Sequence, residues 1–264
     1  MEMLQGLPLS ENEVEIISKV MNSESAPLEA LVLTVAATMI DLAKKEQKLA
    51  RHAAVIASVI IERENVQYKD EPKRPFRTRT LGLLQKTFKE KSNLKASEFR
   101  GFVAYICGLY KTIRVKGTEL GVLVTPVIQC LEQLTITGDQ SDIQCLMGQL
   151  QLIGQQLESA SNDKMDRLFS CIRDCFINPK TSSDGRRMLL EIIEVRAGRW
   201  CLSTAAYEYY YCQKVQVKPA AQENSVAEPA RTSSADEEMS RMLKSRRAQS
   251  LERRSSDESR QTSS

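Results

Sequence analysis

Apolar residues recur along residues 10–217 at the three- and four-residue spacing of amphipathic helices. The clearest case lies between residues 163 and 177, where one helical face carries Met165, Leu168, Phe169, Ile172 and Phe176. The alternation of apolar and polar positions that marks a half-buried strand does not extend over any convincing length. The pattern therefore predicts an all-α body.

Proline, glycine and clusters of small polar residues separate these periodic segments. Ser10 followed by Glu13 has the spacing of a capping box and predicts the start of the first helix. Helices of this length with short connections stack most simply as antiparallel pairs, which predicts a HEAT/armadillo-like solenoid of about five pairs. The predicted helices cover residues 10–22, 28–44, 46–65, a segment around 81–88, 99–117, 123–134, 142–159, 163–177 and 183–200.

The composition changes at residue 218, after which the chain contains no Phe, Tyr or Trp and is rich in Ser, Arg and Glu. A segment with so few large apolar residues cannot form a packed core, so residues 218–264 are predicted to be a disordered tail. The expected organisation is an N-terminal segment 1–9, a helical domain 10–217 and this tail.

The tail contains two candidate phosphorylation sites, Ser250 and Ser256. Arg247 and Arg253 lie three residues before these serines, the position at which basophilic kinases recognise arginine. Each phosphate would add a charge of about −1.5 to −2, so that two would reverse the small positive charge of the tail. Treating the purified chain with such a kinase and mapping phosphate by mass spectrometry tests this hypothesis, which fails if both serines stay unmodified.

Composition argues against most classes of enzyme. His52 is the only histidine, in a helical stretch with no motif around it, and most hydrolases and zinc sites need at least one well-placed imidazole. We therefore expect no catalytic residue, no metal and no cofactor. Cys171 and Cys175 have the i, i+4 spacing of two metal ligands, but core thiols are favoured because no further ligand lies near them in the sequence.

Cysteine usage and the N-terminal sequence predict the compartment. The seven cysteines form no CxxC pair, and an odd number fits reduced thiols better than a disulfide framework. No apolar run reaches the length of a membrane span, and the acidic N-terminus does not resemble a signal peptide. We expect a cytoplasmic and nuclear protein without membrane contact.

Three stretches resemble a known family: RGFVAYICGLYKTIRV at Arg100–Val115, KMDRLFSCIRDCFINP at Lys164–Pro179 and LLEIIEVRAGRWCLSTAAYEYYY at Leu189–Tyr211. Together they are similar to the middle domain of translation initiation factor 4G. Within that family the similarity is greatest to the small single-domain member that binds the histone-mRNA stem-loop-binding protein. The tail is a departure from that member, so its role does not follow from the resemblance.

The resemblance implies an adaptor in mRNA translation that bridges an mRNA-bound protein, such as a stem-loop-binding or cap-binding-complex factor, to translation initiation factors. It further implies a homodimer and an indirect contact with RNA. The alternative is a protein of the same fold that binds RNA directly and acts in mRNA metabolism. An interface that neutralises phosphates would weaken steeply with salt, whereas an apolar peptide interface would not.

Two groups of residues are candidates for partner binding. The first is a basic cluster beside Pro75, comprising Arg74, Arg77 and Arg79, which fits a protein-binding loop, a phosphate contact or simply a solvated loop. With a net charge of only +3, the sequence does not favour RNA over protein at this cluster.

The second group lies near the end of the predicted domain and contains Glu194, Arg196, Tyr209, Tyr210 and Tyr211. Charges that interrupt an apolar helix usually form internal pairs, although a partner contact remains an alternative, and Arg196 is expected to pair with a neighbouring helix. Trp200 is interpreted as a core residue rather than an exposed anchor. Three consecutive tyrosines cannot all face one core, so at least one should be exposed and available to a partner.

Overall fold

The structure, a computed structural model, describes residues 4, 6–22, 29–68, 74–115 and 118–212. All of them belong to Met1–Val215, one of two compact units into which the chain divides. The predicted tail, with Ser250 and Ser256, lies outside the described residues, and the predicted domain limits stay predictions.

The described residues are mainly helical, as the apolar periodicity predicts. The longer helices are α1 (Glu11–Asn22), α2 (Glu29–Lys45), α3 (Gln47–Gln67), α4 (Pro75–Lys89), α5 (Ala96–Thr112), α6 (Val124–Leu134), α7 (Gln140–Ala160), α8 (Asn162–Ile177) and α9 (Ser183–Ala197). They are followed by the short helix α10 (Thr204–Tyr207) and a π-helical turn, Glu208–Cys212. No helix within the described ranges has both the length and the apolar content that a bilayer span requires.

The helices stack in two layers, and this arrangement confirms the prediction of a HEAT-like solenoid. Helices α3, α5, α7 and α9 pack in sequence against one another and form the first layer. In the second layer α2 contacts α4 and α6 contacts α8. Glu46 alone joins α2 to α3, and Ser161 alone joins α7 to α8. The chain must therefore turn back directly after α2 and after α7.

Helix α5 is the centre of the packing. Every residue from Gly101 to Tyr110 is buried, with α2, α3, α6 and α7 packed around the helix. Two glycines permit this close approach. A Cβ atom at Gly101 would lie 2.0 Å from the carbonyl oxygen of Ala43 on α2, and one at Gly108 would lie 2.7 Å from the Cβ of Ala54 on α3.

Helix α5 also gives the clearest error of the sequence-based boundaries. It ends at Thr112 rather than near Gly117, because Ile113 takes an extended conformation and is buried in the core. A two-residue hairpin follows, in which β1 (Arg114–Val115) pairs antiparallel with β2 (Thr118–Glu119). Strands of two residues are too short to show an alternating pattern, so the hairpin could not be predicted.

The N-terminal cap of α1 agrees with its sequence signal. The Ser10 backbone N–H and hydroxyl both donate to the Glu13 carboxylate, at 2.8 Å, and the Glu13 N–H donates to the Ser10 hydroxyl oxygen. These hydrogen bonds lower the pKa of Glu13, the backbone donor of Ser10 making the largest contribution. The capping box is thus confirmed at Ser10.

We predict that Gly101→Ala destabilises the domain by about 1–3 kcal/mol, because the added methyl group forces α2 and α5 apart. Urea unfolding followed by circular dichroism measures the change. Gly82→Ala on α4 is the matched control, since a Cβ atom there meets nothing within 4 Å. The control should be neutral or stabilising by up to about 1 kcal/mol, and equal stability of the two variants would contradict the role of Gly101.

Candidate partner-binding surfaces

The predicted basic cluster lies where α3 ends and α4 begins. The carboxylate of Glu64 on α3 accepts the backbone N–H groups of Phe76 at 2.5 Å and Arg77 at 3.0 Å. It thereby satisfies two of the donors that a helix N-terminus leaves unpaired. Burial raises the pKa of the Glu64 carboxyl, although these backbone donors act in the opposite direction. This contact anchors the start of α4 to α3.

The three arginines of the cluster have different environments. Arg74 donates through Nε to the side-chain oxygen of Asn65 at 3.1 Å, and Arg77 approaches the same oxygen at 3.5 Å. Arg79 is exposed on the first turns of α4. The first two arginines therefore help to join α3 and α4, and only Arg79 is presented largely to solvent.

Arg196 on α9 lies in an internal network. Its guanidinium pairs with Glu158 of α7 at 2.8 Å and with Asp166 of α8 at 2.6 Å. It also lies 4.5 Å from the centre of the Phe169 ring, a cation–π contact. The expected pairing of Arg196 with neighbouring helices is confirmed, and the residue connects α7, α8 and α9.

Trp200 completes the same network from the loop after α9. Its indole N–H donates to the second carboxylate oxygen of Glu158 at 2.5 Å, and its ring meets Phe169 edge to face at 6.2 Å between centroids. Gly154 on α7 makes room for the indole, because a Cβ atom there would lie 1.9 Å from it. The ring is half-buried, which agrees with its interpretation as a packing residue.

The backbone entering this loop is strained. Arg199 and Trp200 have positive φ values of 57° and 65°, in a region that non-glycine residues rarely occupy. The backbone N–H of Trp200 donates to the carbonyl of Val195 at 2.7 Å, and this hydrogen bond stabilises the turn that reverses the chain. These contacts of Trp200 thus fix the position at which the segment that carries Tyr207–Tyr211 leaves α9.

The tyrosines divide between core and surface, as predicted. Tyr210 is buried, whereas Tyr207, Tyr209 and Tyr211 are 55%, 53% and 40% exposed. The hydroxyl of Tyr211 donates to the carboxylate of Glu191, a buried residue of α9. Burial and this neighbouring carboxylate raise the pKa of Tyr211.

Glu194 is exposed on α9, near Tyr210. Burial, together with this carboxylate, raises the pKa of the Tyr210 hydroxyl above its ordinary value. Of the second candidate group, Arg196 and Tyr210 are therefore largely internal. The exposed candidates are Glu194, Tyr209 and Tyr211.

The two cysteines considered as metal ligands and the single histidine lie in environments that packing and exposure explain. Cys175 is buried beside Thr181, with 3.9 Å between Sγ and Oγ1, and Cys171 is half-buried on the same helix. Burial raises the pKa of both thiols, which keeps them neutral and unlike metal ligands. His52 is exposed on α3, as expected for a surface histidine.

A surface depression that the sequence did not reveal lies on the face of α3, α5 and α7. Its first part has a volume of about 640 Å³ and extends across the N-terminal half of α3. Its second part, of about 450 Å³, is closed at one side by Trp200, Tyr207 and Tyr211. Leu152 of α7 lines both parts, and we call the two parts together the α7 groove.

Sequence reasoning missed the residues that line this groove. Gln151 and Gln155 are exposed on α7, and their sequence context does not distinguish them from other polar surface residues. Tyr207 precedes the tyrosine triplet and was not singled out, although its spacing from Tyr211 places both on one helical face. Their rings lie 5.0 Å apart, so the i, i+4 spacing was the available signal.

The fold defines a helical scaffold, a stack of helices that presents exposed side chains at the start of α4 and after α9. The sequence profile of the MIF4G domain matches residues 7–199. The chain therefore belongs to the MIF4G domain family. Domains of this family are typically scaffolds without enzymatic activity, and the match indicates a general adaptor role in translation or mRNA biology.

Individual relatives support the same assignment. The MIF4G domain-containing protein of Rattus norvegicus is 35% identical over 186 residues, which cover 68% of this chain and 82% of the relative. MIF4G domain-containing protein B of Danio rerio is 34% identical and the Homo sapiens MIF4G domain-containing protein 33% identical over the same length, with the same coverage.

We predict that Arg196→Ala lowers the free energy of unfolding by about 1–3 kcal/mol, because the substitution leaves Glu158 without its ion-pair partner in a half-buried position. Thermal and urea unfolding measure the loss. Lys19→Ala is the control: Lys19 forms an exposed pair with Glu15 on α1, and such pairs contribute about 0–1 kcal/mol. A loss at Arg196 no larger than at Lys19 would show that the network does not stabilise the helix packing.

Proposed function

We propose that the protein is an adaptor that bridges an mRNA-bound protein to the translation initiation machinery. A stem-loop-binding or cap-binding-complex factor is the proposed class of mRNA-bound partner, and initiation factors are the proposed partners on the other side. Membership of the MIF4G domain family supports the adaptor role, and the resemblance of Leu189–Tyr211 to the small single-domain member supports this choice of partner.

The observation that carries the proposal is that exposed candidate residues lie on two separate parts of one helical scaffold. Arg79 is exposed at the start of α4, the fourth helix. Tyr209 is exposed after α9, near the C-terminal end of the described residues. Tyrosine and arginine are enriched among the residues that dominate binding energy at protein interfaces. A bridging protein needs two such surfaces that can be occupied together.

The same reasoning extends to activity and location. We infer that the protein is not an enzyme, because domains of its family are typically scaffolds without enzymatic activity and its single histidine is an exposed residue of α3. A protein with these partners would act in the cytoplasm, and in the nucleus where it meets newly made mRNA.

We predict that the immobilised full-length chain retains initiation factors from a cell extract after nuclease digestion, as detected by immunoblot. Tyr209→Ala should reduce retention at least several-fold if this tyrosine is an interface anchor. Tyr210→Phe is the control, since it preserves the buried ring. Loss of every initiation factor on nuclease treatment would contradict the bridging role and favour direct RNA binding.

We also propose a homodimer, on the basis of the resemblance and of the exposed aromatic residues. A twofold interface of standard size buries about 800 Å² on each protomer. Sedimentation equilibrium at tens of micromolar should give twice the monomer mass of 29.7 kDa. A single species at the monomer mass in that concentration range would remove the claim.

A further inference from the structure

The larger part of the α7 groove is a pocket in its own right, and its two sides differ in chemistry. Its volume of about 640 Å³ lies within the range of pockets that hold drug-sized ligands. All of the charged residues in its lining belong to α3 or directly precede that helix, so we call it the α3 pocket. Its lining includes Lys48, Arg51 and His52 of α3, Ala104 and Gly108 of α5, and Gly148 of α7.

Three basic side chains form the α3 side of the pocket. Lys48, Arg51 and His52 lie at positions i, i+3 and i+4 of α3 and therefore share one face of the helix. All three are exposed, and within the described part of the chain none of them forms an ion pair. Arg100 and Arg196, in contrast, are paired with carboxylates of neighbouring helices. The basic groups of the α3 pocket are therefore available to a ligand.

The charges of the α3 pocket favour an anion with more than one negative charge. Among the described residues that line the pocket, Glu46 is the one carboxylate, against Lys48, Arg51 and, when it is protonated, His52. The residues that α5 and α7 contribute carry no charge. Donors within about one helical turn can contact the same phosphate group together, and a phosphate offers three acceptor oxygens and about twice the charge of a carboxylate. A phosphate monoester is therefore the best match.

Small residues form the opposite side of the pocket and leave the backbone accessible. Gly148 is exposed on α7, and a Cβ atom there would meet nothing within 4 Å, so helix packing does not require a glycine at this position. Glycine inside a helix lowers its stability, but it also lets a ligand approach the backbone closely. Ala104 on α5 is equally small, and Leu152 on α7 adds a half-buried apolar side chain. This floor suits an extended chain with apolar side chains.

The lining also distinguishes between the possible carriers of a phosphate. No tyrosine, tryptophan or phenylalanine is among the described residues that line the α3 pocket, so a nucleotide base would find no such ring to stack on. A free phosphate ion would leave the floor and Leu152 uncovered. Val55, on the next turn of the same face of α3, is 38% exposed and extends the apolar surface beyond the pocket. A phosphorylated protein segment can cover both the basic and the apolar side.

We propose that the α3 pocket binds a phosphorylated serine or threonine of a partner protein. Lys48, Arg51 and His52 hold the phosphate, and apolar residues that flank the phosphorylated residue lie on the floor of the pocket. Phosphorylation of the partner then controls its attachment to the scaffold. The site is separate from Arg79 and Tyr209, on which the proposed bridging rests, and it does not depend on that bridging.

His52 supplies a readout located at the site. It is the only histidine in the sequence, so the imidazole signal of the full chain labelled with ¹³C-histidine reports on the pocket in NMR spectra. The probe is a nine-residue peptide with phosphoserine at its centre and leucine two positions to either side. The same peptide with serine or glutamate at the centre, and inorganic phosphate, are the comparison ligands. We expect a saturable movement of the signal below about 1 mM phosphopeptide, and at least about tenfold weaker binding of each comparison ligand, which lacks either the double charge or the apolar contacts.

Substitutions then locate the site. Arg51→Gln should weaken binding of the phosphopeptide roughly 10- to 100-fold through the loss of charge-assisted hydrogen bonds, and Arg51→Lys should restore part of the affinity. Gly148→Leu should weaken the phosphopeptide at least several-fold but leave the weak response to inorganic phosphate unchanged, because the added side chain covers the floor and not the basic groups. Thermal unfolding checks that this variant folds, as the open space around a Cβ atom at Gly148 predicts. Arg79→Gln removes an exposed arginine outside the pocket and should bind like the unmodified chain.

Three outcomes would overturn the proposal. One is a His52 signal that does not move at about 1 mM phosphopeptide. Another is equal affinity for the phosphoserine and glutamate peptides, or unchanged binding of the phosphopeptide in Arg51→Gln, because either result would remove the phosphate from the basic side chains. The third is tighter binding of a ten-residue uridylate than of the phosphopeptide at the same signal, which would assign the basic groups to nucleic acid. Retention of initiation factors after nuclease digestion tests the proposed bridging separately and is unaffected by all three.

Discussion

The burial of α5 is the constraint on which the rest of the domain depends. A helix whose residues are buried over nearly three turns needs neighbours on every side, and α2, α3, α6 and α7 provide them. The close approach of α2 is possible only because position 101 is glycine. Arg100, at the edge of this buried stretch, pairs with Asp142 at 2.8 Å and so ties α5 to the start of α7. With α5 fixed, α3 and α7 are held on either side of it, and the α7 groove is the surface that these three helices share.

The C-terminal surface depends on a second, smaller set of contacts. Glu158 receives both the Arg196 guanidinium and the Trp200 indole, and it thereby joins α7 to α9 and to the loop beyond α9. The positive φ values of Arg199 and Trp200 turn the chain back across α7, where Gly154 leaves space for the indole. The segment that carries the exposed tyrosines is thus anchored to α7 and α9 by these contacts.

The helical solenoid could be predicted from sequence because its determinants are local. The apolar face of α8 and the capping box at Ser10 each lie within a few neighbouring residues. The exposure of at least one residue of the tyrosine triplet follows from the geometry of a single helical turn. The family likewise followed from three contiguous stretches, and the match to the MIF4G domain confirms it.

The features that escaped prediction depend on residues distant in sequence. Nothing near Gly154 indicates that Trp200, 46 positions later, will occupy the space above it. Glu64 likewise caps a helix that begins 11 residues further on, through hydrogen bonds that no local motif specifies. The α7 groove combines side chains from four separate segments, and its composition becomes visible only when the helices are assembled.

We propose that this scaffold joins an mRNA-bound factor to the initiation machinery, so its presence on an mRNA should raise translation. A tethering experiment tests it most directly: the full chain is fused to a coat protein that binds an RNA hairpin placed in the 3′ untranslated region of a reporter mRNA. Reporter protein made per mRNA should rise several-fold with the tethered chain, and the rise should disappear when the hairpin is removed. An unchanged protein yield per mRNA, with the fusion shown to occupy the hairpin, would contradict it.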